Sequence, residues 1–137
     1  MVNVPNIERV IASIKGELPE TQTLGFNMNS YVDPVSLANP DLSGRDCEWT
    51  GCIAGHAYLL EIGCPFTQAE SEDTEEIEEI AQHYLGLSRE QADNLFFDLP
   101  AHLKLARLPA SVAIETLERL AATGKVDWLG EKYVDAA

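Results

Sequence analysis

Between Asp46 and Ala57 the chain places Cys47, Trp49, Cys52 and His56, which are two of its three cysteines, one of two tryptophans and one of three histidines. Thiolates and imidazoles hold zinc, and paired they make a nucleophile with its base. On a helix rising about 1.5 Å per residue, Cys52 and His56 share one face about 6 Å apart, which suits two ligands of one metal ion, with Cys47 as a third. Cys64 is a poor fourth, because a continuous helix sets it about 18 Å from Cys52. A zinc-stabilised module on Cys47, Cys52 and His56 is one reading, although Cys-x-x-Cys knuckles are absent and structural zinc prefers four protein ligands. A thiol-dependent enzyme using Cys52 is a second, since a thiol in the first turn of a helix ionises more easily. Its base would be His56, His83 or His102, but no oxyanion-hole signature flanks the cysteine. The preferred reading makes the segment the central helix of the core. Gly51 and Gly55 form one stripe and Ala54 and Ala57 another, so a neighbour can approach closely, and free cysteine is among the most buried residue types. On that reading no residue is catalytic, cofactor-binding or metal-ligating. Replacing Gly55 with leucine should then unfold the protein.

The elements that position this segment follow from hydrophobic spacing. Asn3 and Pro5 open a helix with Ile7, Val10, Ile11, Ile14 and Leu18 at three- and four-residue steps, ended by Gly16 and Pro19. From 22 to 46 the pattern dissolves into Gly25, Pro34, Pro40 and Gly44, with Leu24, Phe26 and Met28 alternating as in a short strand. Structureless connections beyond about 12–15 residues are uncommon in compact domains, so Phe26, Met28 and Tyr31 are expected to pin this loop to the core, where it could also cover a pocket. Thr50 is expected to cap a helix from about Gly51 to Ile62, stopped by Gly63 and Pro65. A third helix begins near Ser71 and carries Ile77, Ile80, Ala81, Tyr84 and Leu85 to Gly86. Ser88 with Gln91 reads as the capping box of a fourth, with Ala92, Leu95, Phe96 and Leu99 buried and Pro100 closing it. After a turn from His102 to Leu108, Pro109 opens a fifth helix that ends at Gly124, and Asp127 caps a last short one with Trp128, Leu129 and Tyr133. The sum is a mostly all-α single domain over residues 1–137, with five to six helices and one long irregular loop at 22–46.

Twenty-three acidic against nine basic residues leave a formal charge of −14, which repels phosphate backbones and anionic membranes at long range. Neither nucleic acid nor membrane is expected as a partner. Seven acidic residues fall between Glu70 and Glu79. Carboxylates favour a helix start, and the same run, through Glu72, Asp73, Glu75, Glu76 and Glu79, offers a docking face for a basic protein. Residues 81–96 have the spacing of a DNA-binding helix-turn-helix, but the second helix carries Arg89 alone beside Glu90, Asp93 and Asp98. A phosphate-lined groove demands more cations than that, so the spacing encodes an angled helix pair. No apolar run approaches the ~20 residues of a membrane span, and the N-terminus lacks a secretory pattern. With an odd cysteine count, this places the chain in the reducing cytoplasm.

In order and spacing, Phe26-Asn27-Met28, Cys47 with Thr50, Cys52-Ile53-Ala54-Gly55-His56-Ala57, and Leu85-Gly86-Leu87 with Ala92, Leu95 and Phe96 resemble a group of small proteins of bacteria and their phages. The resemblance covers about residues 24–97. In that group the middle piece commonly reads Cys-Gly-Thr followed by Ala-Cys-Ile-Ala-Gly-Trp-Ala, so Glu48-Trp49 and His56 depart from it. A position that accepts tryptophan is a poor place for an obligatory ligand or base. The group carries no assigned activity, and the resemblance implies a phage or mobile-element origin only. The expectation is a small acidic cytoplasmic helical module that binds other proteins, with no cofactor, zinc being the exception considered above. Oligomeric state is not legible in these residues.

Overall fold

A computed structural model describes residues 2–37, 39–97 and 108–128. Six helices are present among them: α1 Val4–Ile14, α2 Ile53–Ile62, α3 Phe66–Glu70, α4 Thr74–Leu85, α5 Arg89–Phe96 and α6 Ala110–Thr123. Three strands, β1 Leu24–Phe26, β2 Val32–Pro34 and β3 Trp49–Gly51, join in one sheet of order β1-β3-β2.

Most helix boundaries follow from local chemistry. Asn3 caps α1 by accepting the Asn6 N–H, and Pro5 stands in its first turn. The helix ends at Ile14, so Leu18, expected on its stripe, lies beyond it. Ser88 and Gln91 form both bonds of the capping box. Helices α2, α4 and α6 end on Gly63, Gly86 and Gly124, each with positive φ, a conformation that costs glycine least. One acidic stretch divides differently from expectation. Phe66–Glu70 is a short helix of its own, and Asp73 caps α4 by accepting the Glu75 N–H.

The region 22–46 corrects the mostly all-α expectation. Its β1 runs parallel to β3, pairing Leu24 with Trp49 and Phe26 with Gly51, while β2 runs antiparallel to β3, pairing Val32 with Gly51. The short strand expected around Leu24, Phe26 and Met28 is β1, with all three of its residues buried, whereas β2 and β3, of three residues each, are too short to show an alternating pattern. Thr50 is therefore a strand residue whose hydroxyl donates to the Asp33 carbonyl, and Cys52 takes the N-cap position assigned to Thr50. The cause is tertiary: β3 has two partner strands that outcompete an earlier helix start. Phe26 and Met28 are buried, so this part of the loop is pinned to the core as expected.

Helix α2 lies at the centre. Every residue from Ile53 to Leu59 is buried, the signature of a helix enclosed on all sides. It packs on α4 and α1, and α1 packs on α6. Leu85, Leu87, Ala92 and Leu95 are buried in the α4–α5 pair. Trp128 is buried and its indole N–H donates to the Asn94 carbonyl at 2.9 Å. The ends expected at Leu99 and Pro100, the turn from His102 and the last helix through Leu129 and Tyr133 lie outside the described residues.

Candidate functional site

The residues of the Asp46–Ala57 segment point in three directions. His56 has no exposed surface. Its Nε2 lies 2.8 Å from the Gly25 carbonyl, and its Nδ1 lies 2.6 Å from Ser13 Oγ, which is 2.5 Å from Thr21 Oγ1. A carbonyl only accepts, so Nε2 carries the proton and neutral Nδ1 accepts from the Ser13 hydroxyl, which accepts from Thr21. Burial first, and the Arg45 charge after it, pull the His56 pKa down to about 4, against a partial rise from the Gly25 bond. The order of bonds is that of a serine–histidine dyad, but Ser13 and His56 are both enclosed. Its effect is to tie α1, β1, α2 and the 3₁₀ turn at Pro19–Thr21 together.

Cys52 is buried, and its Sγ accepts the Gly55 N–H at 3.4 Å, the bond an N-cap oxygen usually makes. Burial pushes its thiol up to about 11, despite the N–H groups of the helix start. Enclosure outweighs the helix terminus that favoured a thiolate in the sequence. Cys47 is half-buried and gives its backbone N–H to Asp41 at 3.0 Å. Burial also raises its thiol pKa, with Arg45 opposing and Asp41 adding to the rise. The two thiols line different hollows. Cys47 borders one of about 630 Å³ with Arg45, Trp49 and Phe66, whereas Cys52 borders a pit of about 130 Å³. None of the three cysteines is in a disulfide. Among the described residues, no three His, Cys, Asp or Glu side chains are grouped as metal ligands.

What approaches Gly55 is backbone rather than a neighbouring helix. A Cβ built there would stand 1.7 Å from the Tyr31 carbonyl oxygen. The turn carrying Tyr31 is thus pressed onto α2, and Cys52 donates its backbone N–H to the Ser30 carbonyl at 2.7 Å. The Tyr31 hydroxyl donates to the Glu78 carboxylate of α4. Burial and then Glu78 raise the tyrosine's pKa.

The acidic run divides between helix architecture and an open surface. Asp73 is the α4 cap, Glu72 accepts the Asp73 N–H, and the charges of Glu72 and Glu76 act on the Tyr58 hydroxyl of α2. Glu75 and Glu79 instead join Glu78, Asp93, Phe96 and Phe97 around a hollow of about 240 Å³ between α4 and α5. Arg89, which also borders it, pairs with Asp93 at 3.4 Å. Phe97 is 47 % exposed, with its ring edge-on to Phe96 at 6.2 Å.

Sequence reading missed Glu78, Asp93 and Phe97 as surface partners of Glu75 and Glu79, whereas Phe96 is buried as expected and borders the hollow. The i, i+3 and i, i+4 spacing of Glu75, Glu78 and Glu79 put them on one helix face, a signal available in the sequence. Their meeting with Phe97 depends on the angle between two helices and had no local signal. Among the described residues, no helix is long and apolar enough to cross a membrane. No family model, curated protein or solved structure matches the chain.

Proposed function

We propose that this chain is a small acidic binding module whose α4–α5 face docks a basic segment of a partner protein. The observation that carries this reading is the hollow in which Glu75, Glu78, Glu79 and Asp93 surround the exposed Phe97. Aromatic surface beside charge suits a protein partner, because large exposed apolar groups supply the burial and the charges steer approach. Among the described residues Arg89 is the one cation bordering the hollow, and its pairing with Asp93 offsets one carboxylate and leaves the charges of Glu75, Glu78 and Glu79. With a formal charge of −14, the same surface repels nucleic acid and a second copy of the chain. A cytoplasmic module of phage or mobile-element origin is consistent with the resemblance noted above.

Titration with short lysine-rich peptides tests the proposal. Binding should weaken steeply with added salt, and Glu75→Lys/Glu79→Lys should reduce affinity by about tenfold or more. Salt-insensitive binding, equal binding by the charge-reversed variant, or salt-sensitive retention on duplex DNA would each count against it.

A further inference from the structure

The acidic hollow does not end at the phenylalanines. Phe96 and Phe97 also wall the 130 Å³ pit on its other side, together with Met28, Tyr31, Cys52 and Ala54. The two hollows therefore abut across one pair of rings. Their rims are also joined by a hydrogen bond, since Tyr31 borders the pit, Glu78 borders the acidic hollow, and the tyrosine hydroxyl donates to that carboxylate.

We infer that the pit is the anchor pocket of the docking site, taking one apolar side chain of a partner segment whose lysines or arginines lie along Glu75 and Glu79. This rests on reading the acidic face as a docking site and adds what the partner must carry. The pit is close in size to apolar cavities of ~150 Å³ that accept a benzene ring, so it has room for a leucine, methionine or phenyl side chain. Its lining is apolar except for Asn29 and the polar tips of Tyr31 and Cys52. The Tyr31 hydroxyl is already committed to Glu78, and Cys52 Sγ to the Gly55 N–H. An apolar occupant thus leaves no unpaired group behind at those atoms. Small pits next to charged rims are where interface energy concentrates, because a buried anchor contributes affinity while the rim sets orientation. The occupant is chosen by charge: the rim repels acidic ligands and attracts cationic ones.

A peptide set separates this inference from the reading it rests on. Each peptide carries two lysines and one leucine, with the spacing between them stepped residue by residue, and each has a twin with serine in place of leucine. On the unaltered protein the best leucine peptide should bind about tenfold to a hundredfold more tightly than its serine twin. Phe97→Ala, which removes an exposed ring, should erase most of that difference while both peptides keep their salt dependence. Met28→Ala should enlarge the pit and shift the preferred anchor from leucine toward phenylalanine; if that variant does not fold, Phe97→Ala carries the test. Equal binding of the twins, with both weakened by Glu75→Lys/Glu79→Lys, would overturn the anchor pocket and leave the acidic docking face standing. Binding by neither peptide would overturn both.

Discussion

At the scale of single residues, His56 shows how burial changes the meaning of a reactive side chain. Next to Cys52 in the sequence it reads as a ligand or base. In the fold its two nitrogens are both spent, one donating to Gly25 and one accepting from Ser13. Neither partner is near it in the chain, so no spacing rule exposes them. The bonded arrangement has a consequence for acid stability. An unfolded histidine titrates near 6.5, whereas His56 in the fold titrates near 4. Between those values the unfolded chain holds a proton that the folded chain refuses. Stability contributed by the neutral ring is complete above about pH 6.5 and is lost as pH falls toward 4, by an amount on the order of 3 kcal/mol. Glutamine at this position can still donate to the Gly25 carbonyl and has no proton to gain. Urea unfolding of the unaltered protein at a series of pH values should show this decline, and His56→Gln should flatten it. An identical pH dependence in both proteins would remove His56 from the acid response.

At the scale of elements, the irregular region and α2 are locked together by backbone contacts that short-range patterns do not encode. Asp41 Oδ1 accepts the Phe26 and Ser43 N–H groups and its Oδ2 accepts that of Cys47. Burial alone would raise this carboxyl's pKa, but the Ser43 side chain and then the N–H groups of Ser43, Cys47 and Phe26 outweigh it and hold the group below its usual range. Arg45 donates to the carbonyls of Ile14, Gln22 and Leu24, joining the end of α1 to β1. Polar residues in a stretch rich in glycine and proline look like solvent-facing loop, and here they replace the missing ladder bonds. The expectation that Phe26, Met28 and Tyr31 anchor the region was sound. The pairing of the sheet went unseen because β2 and β1 find β3 across gaps of 14 and 22 residues. Gly55 offers the sharpest test of the contact between this region and α2. Alanine favours a helix interior over glycine by about 1 kcal/mol, so Gly55→Ala would stabilise an uncrowded helix. Here its methyl group meets the Tyr31 carbonyl, and the variant should lose about 3 kcal/mol, with the larger Gly55→Leu failing to fold. A melting temperature equal to or above that of the unaltered protein would contradict the close approach.

At the scale of the whole molecule, charge is the dominant property. Fourteen uncompensated negative charges repel one another more strongly in the compact state than in the extended chain. Raising salt from about 10 mM to about 0.3 M screens that repulsion and should raise the melting temperature by about 3–5 °C. A flat or falling melting curve would show that local ion pairs outweigh the net field.

The sequence by itself determined five of the helices among the described residues, α1, α2, α4, α5 and α6, and most of their ends, because caps, glycine stops and apolar spacing act within a few residues. It also determined the sign of the molecular field and the small-residue character of α2. Tertiary structure alone decided the mixed sheet, the partners that enclose His56, and which carboxylates face an open hollow. Those outcomes depend on pairs such as Ser13 with His56, Tyr31 with Glu78 and β1 with β3. Each pair is distant in the chain and is selected only when the core closes.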